Sequence, residues 1–428
     1  MTRLARGDLL PKILTPPPGR RARQLSRSLA RSEAPGVNTL RAGAPTILWQ
    51  EAKGANVLDV DGNRFLDLTS GFGVAAVGHR HPRVVAAVRR QAGQLLHGLG
   101  DVQAHPQRVG LAERLRRRVP VDDGQVYFAV SGADAVEIAL KTALLATGRP
   151  GIVAFDPAYH GLTLGALHAT SRPEFHRPFA QHLHPHVHRL PYGCLLGALD
   201  KVLRESGDIG AVILEPLVGR EGVIPPPSGW LRGVADLCRE HGALLVADEI
   251  LTGFGRTGHW FAVDAERIRP DLLCCGKALG GGMPIAATVG RRQVLAAWQT
   301  SGEALHTATF VAHPTACAAA LEVLEILTDD KLPQRAARLG LVLEKRFGDW
   351  PSKFSAVTAV RGRGLLWGVE LASREAASGV TRAALGRGLL ILAGGATGRV
   401  LQLLPPLTIS ERQISFALEI LEELLAEF

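Results

Sequence analysis

The rhythm of hydrophobic and polar positions changes along this chain, and each change predicts a different kind of element. Between residues 46 and 68 apolar and polar residues alternate in TILWQEAKGANVLDVDGNRFLDL. A period of two puts successive side chains on opposite faces of a strand. Gly54 and the Asp61-Gly62 pair interrupt the alternation, so this segment predicts short strands joined by a hairpin turn. HPRVVAAVRRQAGQLLH (81–97) and PQRVGLAERLRRRV (106–119) space their apolar residues as helices do. Unbroken apolar runs follow: QVYFAV (125–130), GIVAF (151–155), AVILEP (211–216), ALLVADE (243–249) and DLLCCG (271–276). SGADAVEIALKTALLAT and GWLRGVADLCREHG lie between them with helical spacing. Strand–helix alternation of this kind predicts a wound, mainly parallel sheet. After about residue 320, helices in ACAAALEVLEILTD and KLPQRAARLGLVLEKRF lead to strand candidates at 363–371, 388–394 and 400–406, then to a last helix over 410–427. That stretch predicts a smaller α+β unit, which the N-terminal strands are placed to join.

Candidate chemistry sits at the ends of the apolar runs. Ser131, Glu215, Asp248 and Lys277 all lie at or just beyond C-terminal strand ends, the edge where open α/β sheets bind ligands. ALLVADE contains Asp248, and CCGKALGGGMPIAA surrounds Lys277 with glycines. Pyridoxal phosphate (PLP) needs such a pair. A lysine amine forms a Schiff base with its aldehyde, and a buried carboxylate pairs with the protonated pyridine nitrogen. Ser131, Gly132 and Ala133 open a helix, where free N–H groups and a hydroxyl favour phosphate. Tyr159, in FDPAYHG, offers a flat face to a cofactor ring. Each feature alone also has a plain structural reading: an acid closing a strand, a lysine in a solvated turn, an N-cap, a core aromatic. Glu215 receives no role from the sequence.

SGADAVEIALK, FDPAYHG, AVILEPLVGREGVIPPP, LLVADEILTGFGRTGHWFA, PDLLCCGKALGGGMPIAATVG and HTATFVAHPTACAAAL follow one another along the chain. Their order and spacing resemble the signatures of class III aminotransferases, the ornithine/4-aminobutyrate-like PLP enzymes, over roughly residues 35–428. The resemblance implies an α/β, fold-type I architecture. Residues 69–320 would form a large PLP-binding domain with the wound sheet, and 321–428 a small α+β domain. Residues 35–68 would pack with the small domain, behind a partly disordered extension at 1–34. Lys277 would carry the cofactor and move a proton between the substrate α-carbon and cofactor C4′. Asp248 would hold the pyridine nitrogen protonated. Gly132 and Ala133, with Ser131, would cradle the phosphate, and Tyr159 would stack on the ring. Thr309, in HTATF, would reach the phosphate of a neighbouring subunit, so the active unit would be a homodimer. Phe72, in SGFGVAAVGH, falls where the family lines the substrate entrance. The implied activity is transfer of an amino group from an amino acid or ω-amino compound to a 2-oxo acid. A racemase or epimerase on the same fold is the alternative, because Lys277 and Asp248 would serve both chemistries.

Three positions depart from the ornithine-like pattern. Arg220 stands where that pattern has a Glu, Gln402 where it has a carboxylate-gripping Arg, and Leu251 where many relatives have a Gln. A neutral Gln cannot make the bidentate, charge-assisted contact of an Arg. Two readings stand. Either Arg220 takes over carboxylate recognition from the other side of the pocket, or it faces solvent and the substrate is an amine lacking that carboxylate.

Composition adds boundaries. Net charge is +9, but residues 1–32 hold eight Arg or Lys against one acid, Asp8, leaving the rest nearly neutral. A tail, an organellar transit peptide and an anion-binding arm are the three readings, of which a partly ordered, solvated tail is favoured. Charge alone is weak support for nucleic-acid binding, and none is expected. No apolar run is long enough to span a bilayer. Five scattered cysteines without a C-x-x-C pair fit a reduced, cytoplasmic setting and no zinc site. FHRPFAQHLHPHVHR (175–189) holds five His, but its two prolines break regular ligand geometry. It reads as a loop near the substrate entrance, and no metal is expected.

Overall fold

The alternating segment folds into three antiparallel strands, β1 (Trp49–Lys53), β2 (Asn56–Asp59) and β3 (Arg64–Asp67). These come from a computed structural model that describes residues 4–37, 46–183, 185–299 and 302–428. Buried Asp59 accepts the N–H groups of Asp61 (2.9 Å) and Asn63 (2.7 Å), which closes the β2–β3 turn. The preceding residues lie along this sheet. Leu9 exchanges two hydrogen bonds with the Asn56 amide, and Lys12 pairs with Arg64. The Asp61 carboxylate accepts N–H groups of Arg21 and Ala22, placing a negative charge at the start of the helix Arg20–Ser32.

The central sheet has seven strands: β4 (Gly124–Ala129), β5 (Gly151–Asp156), β6 (Val187–Pro191), β7 (Ile209–Leu214), β8 (Leu244–Asp248), β9 (Leu272–Cys275) and β10 (Ala286–Arg291). Their order is β4-β10-β9-β8-β7-β5-β6. Only β10 runs antiparallel to its neighbours. Every residue of β7, β8 and β9 is buried, as apolar runs covered on both faces require. β6 and β10 carry no long apolar run and escape the hydrophobic pattern. β6 is a half-exposed edge strand ending in Pro191, a residue suited to an edge because it has no N–H to donate.

The chain departs from its expected elements in three places. The strand expected at 363–371 is the second arm of a hairpin, β11 (Val357–Arg363) and β12 (Leu366–Leu371). β11 is largely half-exposed and lacks the apolar run that would have marked it. The run at 388–394 divides into β13 (Leu389–Leu390), which pairs with β3, and β14 (Leu392–Gly394). β14 pairs instead with β15 (Val400–Leu403) in a sheet ordered β11-β12-β15-β14. Hydropathy cannot show that a strand changes sheets at one residue. Finally, the helix expected over 81–97 stops at Ala92, where Gly93 follows. Among the described residues no helix is long and apolar enough to cross a membrane.

Candidate active site

Strand order assembles the site. β9, β8, β7 and β5 are neighbours, about 4.8 Å apart. Their C-terminal ends deliver Lys277, Asp248, Glu215 and the Tyr159-His160 pair side by side. Lys277 lies two residues past β9 with φ 41°, a conformation that a lysine holds only when its surroundings impose it. Burial pushes its amine pKa down; Asp248 and Glu215 oppose that shift, and Arg220 reinforces it. An amine held down in this way is closer to the neutral nucleophile that bonds a carbonyl carbon.

Asp248 is the last residue of β8. Its Oδ2 lies 2.7 Å from His160 Nδ1, and its Oδ1 accepts the Ile250 N–H at 3.1 Å. Both side chains are buried, so the N–H groups that face the carboxylate stabilise its charge where water cannot. Sequence reasoning missed His160. The only clue was its place beside Tyr159, since a histidine at a buried strand end needs a partner.

The helix Gly132–Thr147 starts next to this pair. Ser131 caps it by accepting the Asp134 N–H at 3.2 Å, and the first-turn N–H groups of Gly132 and Ala133 have no partner within the helix. Gly161, at φ 129°, brings the Tyr159 turn against the helix start: a Cβ there would meet Ala133 Cβ at 2.6 Å. Tyr159 donates its N–H to Glu215 Oε1 (3.0 Å), and Gly219 donates to Glu215 Oε2 (3.0 Å). Glu215 therefore ties two site loops together. Burial pushes its pKa up to about 7.

The remaining expected residues are placed as follows. Arg220 Cζ lies 4.1 Å from the centre of the Tyr159 ring, inside the cluster and not in open solvent. The Gln402 amide donates to the carbonyls of Arg220 (2.7 Å) and Gly219 (3.3 Å). Leu251 fills the space between Gly73 and Gly219: a Cβ on either glycine would meet a Leu251 methyl within 2.8 Å. Phe72 is 63% exposed in a run of four left-handed residues, Ser70 to Gly73, which passes close to the Lys277 side chain. Thr309 is exposed, and its carbonyl accepts from His97 Nε2 at 2.8 Å. Its backbone packs against the 97–100 turn of the same chain. Phe175 opens the histidine-rich segment 6.3 Å from Tyr159, so that segment borders the site. His184 lies outside the described residues, and among those described no group of three or more His, Cys, Asp or Glu converges.

These residues fit PLP. A desolvated amine, a hydrogen-bonded buried carboxylate, a helix start with two small residues and an aromatic face match its aldehyde, ring nitrogen, phosphate and ring. Across the whole chain, the sequence model of aminotransferase class-III matches residues 39–425. The chain belongs to the class III aminotransferase family. Acetylornithine aminotransferase of Methanopyrus kandleri is 40% identical over 366 residues, covering 86% of this chain and 91% of that protein. 4-Aminobutyrate aminotransferase of Mycobacterium leprae is 36% identical over 450 aligned positions, covering 97% and 98%. The ornithine aminotransferase of Toxoplasma gondii, in whose structure PLP partly occupies the active site, superposes with a TM-score of 0.86 at 29% identity, covering 94% of each chain. PLP is the cofactor of this class III aminotransferase.

In this aminotransferase the TGFGRTG stretch has a structural task. Arg256 is buried and donates to the carbonyls of Leu365 (3.0 Å) and Pro405 (2.5 Å), and its other terminal nitrogen lies 3.4 Å from Ser70 Oγ. It thus holds the Phe72 loop against the C-terminal region. Beside it, buried Glu249 accepts the Val263 N–H (2.8 Å) and the Thr252 hydroxyl. Burial pushes Glu249 up to about 7. Between its unfolded value near 4.5 and about 7, the folded state binds more protons, so stability falls as pH rises through this window. The urea midpoint of the apo-protein is therefore expected to fall between pH 5 and 7.5. Glu249→Gln should remove up to about 3 kcal/mol of that pH dependence. An unchanged slope would mean that Glu249 does not titrate there.

Proposed function

We propose that this aminotransferase moves an amino group from an amino-acid or ω-amino donor to a 2-oxo acid, with Lys277 as its catalytic residue. One observation carries the assignment of roles: the desolvated Lys277 amine lies beside Asp248, which His160 holds at 2.7 Å. Asp248 would hold the ring nitrogen, and Ser131, Gly132 and Ala133 the phosphate. Tyr159 would cover the ring face. PLP, when bound, supplies the electron sink that makes the substrate's carbon-bound proton removable.

The chain's own groups do the rest. Lys277 Nζ would take that proton from the donor carbon and, in the second half-reaction, would return a proton to the carbon of the acceptor. Its lowered pKa raises the share of the proton-accepting form relative to a solvent-exposed lysine. Asp248 accepts the Ile250 N–H on one oxygen and is held at 2.7 Å by His160 Nδ1 on the other, and its carboxylate would pair with the protonated ring nitrogen. Leu251 and the Phe72 loop would line the side where the substrate enters.

The same reading makes the enzyme a homodimer in which Thr309 serves the neighbouring subunit's phosphate. Exposed Leu96, Leu99, Val102, Leu305 and Phe310 around Thr309 support this, because an apolar cluster of that kind marks an interface. A cytoplasmic setting is supported by five cysteines, all with free thiols.

Separated half-reactions test the proposal. Donor alone should yield one equivalent of oxo product per active site, and a 2-oxo acid added afterwards should restore the starting form. The steady-state pattern should be ping-pong. Loss of optical activity in an amino acid without oxo product would replace transamination with racemisation.

A further inference from the structure

The charged groups of the site leave one cation without a counter-charge. Asp248 faces His160. Glu215 accepts two backbone N–H groups. Glu221, adjacent to Arg220 and buried, pairs with Arg172 at 2.7 Å, and Arg172 also donates to the Gly395 carbonyl at 3.0 Å. No carboxylate among the described residues pairs with Arg220. Its guanidinium lies instead over the Tyr159 ring at 4.1 Å, with Phe175 at 5.7 Å.

The backbone that carries it is held firmly. The Arg220 carbonyl accepts from Gln402 Nε2 (2.7 Å) and from the Gly395 N–H (3.1 Å), and the Gly219 N–H is bound to Glu215 at 3.0 Å. With its Cζ over the Tyr159 ring, the guanidinium donates no hydrogen bond to any described residue, which leaves its N–H edges for a ligand. Those edges match a planar carboxylate, which accepts two parallel hydrogen bonds. Gln402, in turn, has its donor committed to backbone carbonyls and brings no charge of its own.

We propose that Arg220 is the specificity-determining residue of this site, receiving the carboxylate of a carboxylate-bearing amine and then that of the oxo acid. Gln402 is a positioning residue that fixes the Arg220 backbone. The proposal rests on the aminotransferase reading above and narrows it: simple amines are poor donors, and donor and acceptor share one anion site. The charge of Arg220 reaches the reaction centre, since it contributes to lowering the Lys277 pKa.

The test uses the holoenzyme, with 4-aminobutyrate, glutamate and 1-butylamine as donors and glutarate as a non-reacting dicarboxylate probe followed by calorimetry. Arg220→Gln should weaken glutarate binding and lower kcat/KM for the two carboxylate donors about 10- to 100-fold, mainly through KM. Its half-reaction with 1-butylamine alone, which needs no oxo acid, should fall far less than the half-reactions of the two carboxylate donors. Arg220→Lys should retain part of the binding, because it keeps the charge but loses the fork. Gln402→Leu should weaken glutarate by more than it slows the half-reaction with 1-butylamine. Unchanged glutarate affinity in Arg220→Gln, or equal losses for all three donors in a variant with normal cofactor content, would overturn the proposal. If the wild type converts no donor, the aminotransferase reading fails, and the glutarate titration still decides the role of Arg220.

Discussion

Lys277→Ala is expected to lower kcat for transamination by at least about 10⁴-fold, the largest effect of any single substitution in this protein. On the proposed roles, two functions disappear together: the covalent attachment of the cofactor and the proton transfer at the substrate carbon. General acid–base transfer alone contributes roughly 10²- to 10⁴-fold. Lys277→Arg should be nearly as inactive, because a guanidinium stays protonated and cannot act as the nucleophile. Stability should not fall. The wild-type amine sits where burial penalises its charge, and the backbone there is held at φ 41°. Apo Lys277→Ala is therefore expected to unfold at the same or slightly higher denaturant concentration. A variant that keeps activity within tenfold of wild type would show that another group carries the chemistry.

Asp248→Asn should produce the second-largest loss, roughly 10²- to 10³-fold in kcat, as expected when a preorganised charge is removed from a water-poor site. The substitution is chosen to preserve packing. An asparagine oxygen still accepts from His160 Nδ1 or from the Ile250 N–H, so the two strand ends stay together. The loss should therefore appear without a comparable loss of fold. A second readout is independent of turnover. Asp248 raises the Lys277 pKa against the burial that lowers it, so removing its charge must lower that pKa further. In the apo-enzyme, the pH profile for labelling Lys277 with an amine-reactive reagent should shift to lower pH. A shift to higher pH, or none, would mean that the two groups do not interact.

Local patterning made the site more legible than the fold around it. Lys277, Asp248 and Glu215 could be read because each follows a strand so apolar that a polar residue at its end stands out. His160 was hidden because its importance lies in a contact with Asp248, 88 positions away, which no local pattern encodes. Arg172 was hidden for the same reason: its partner Glu221 lies on another loop. The Arg220 departure was visible, but only the structure places its guanidinium on Tyr159 and Gln402 on its backbone. In the fold, β6 and β11 were missed because edge and half-exposed strands lack an apolar run. The change of sheet within 388–394 depends on tertiary pairing with β3.

The account depends most on Lys277 being the residue that bonds PLP. Borohydride reduction of the purified holoenzyme, followed by proteolysis and peptide mass spectrometry, tests this directly, because reduction makes the lysine–cofactor bond permanent. The reduced pyridoxyl phosphate mass should appear on the peptide containing Lys277 and on no other, at one per chain. A modified peptide elsewhere, or a chain that incorporates no cofactor under conditions where PLP is in excess, would contradict it.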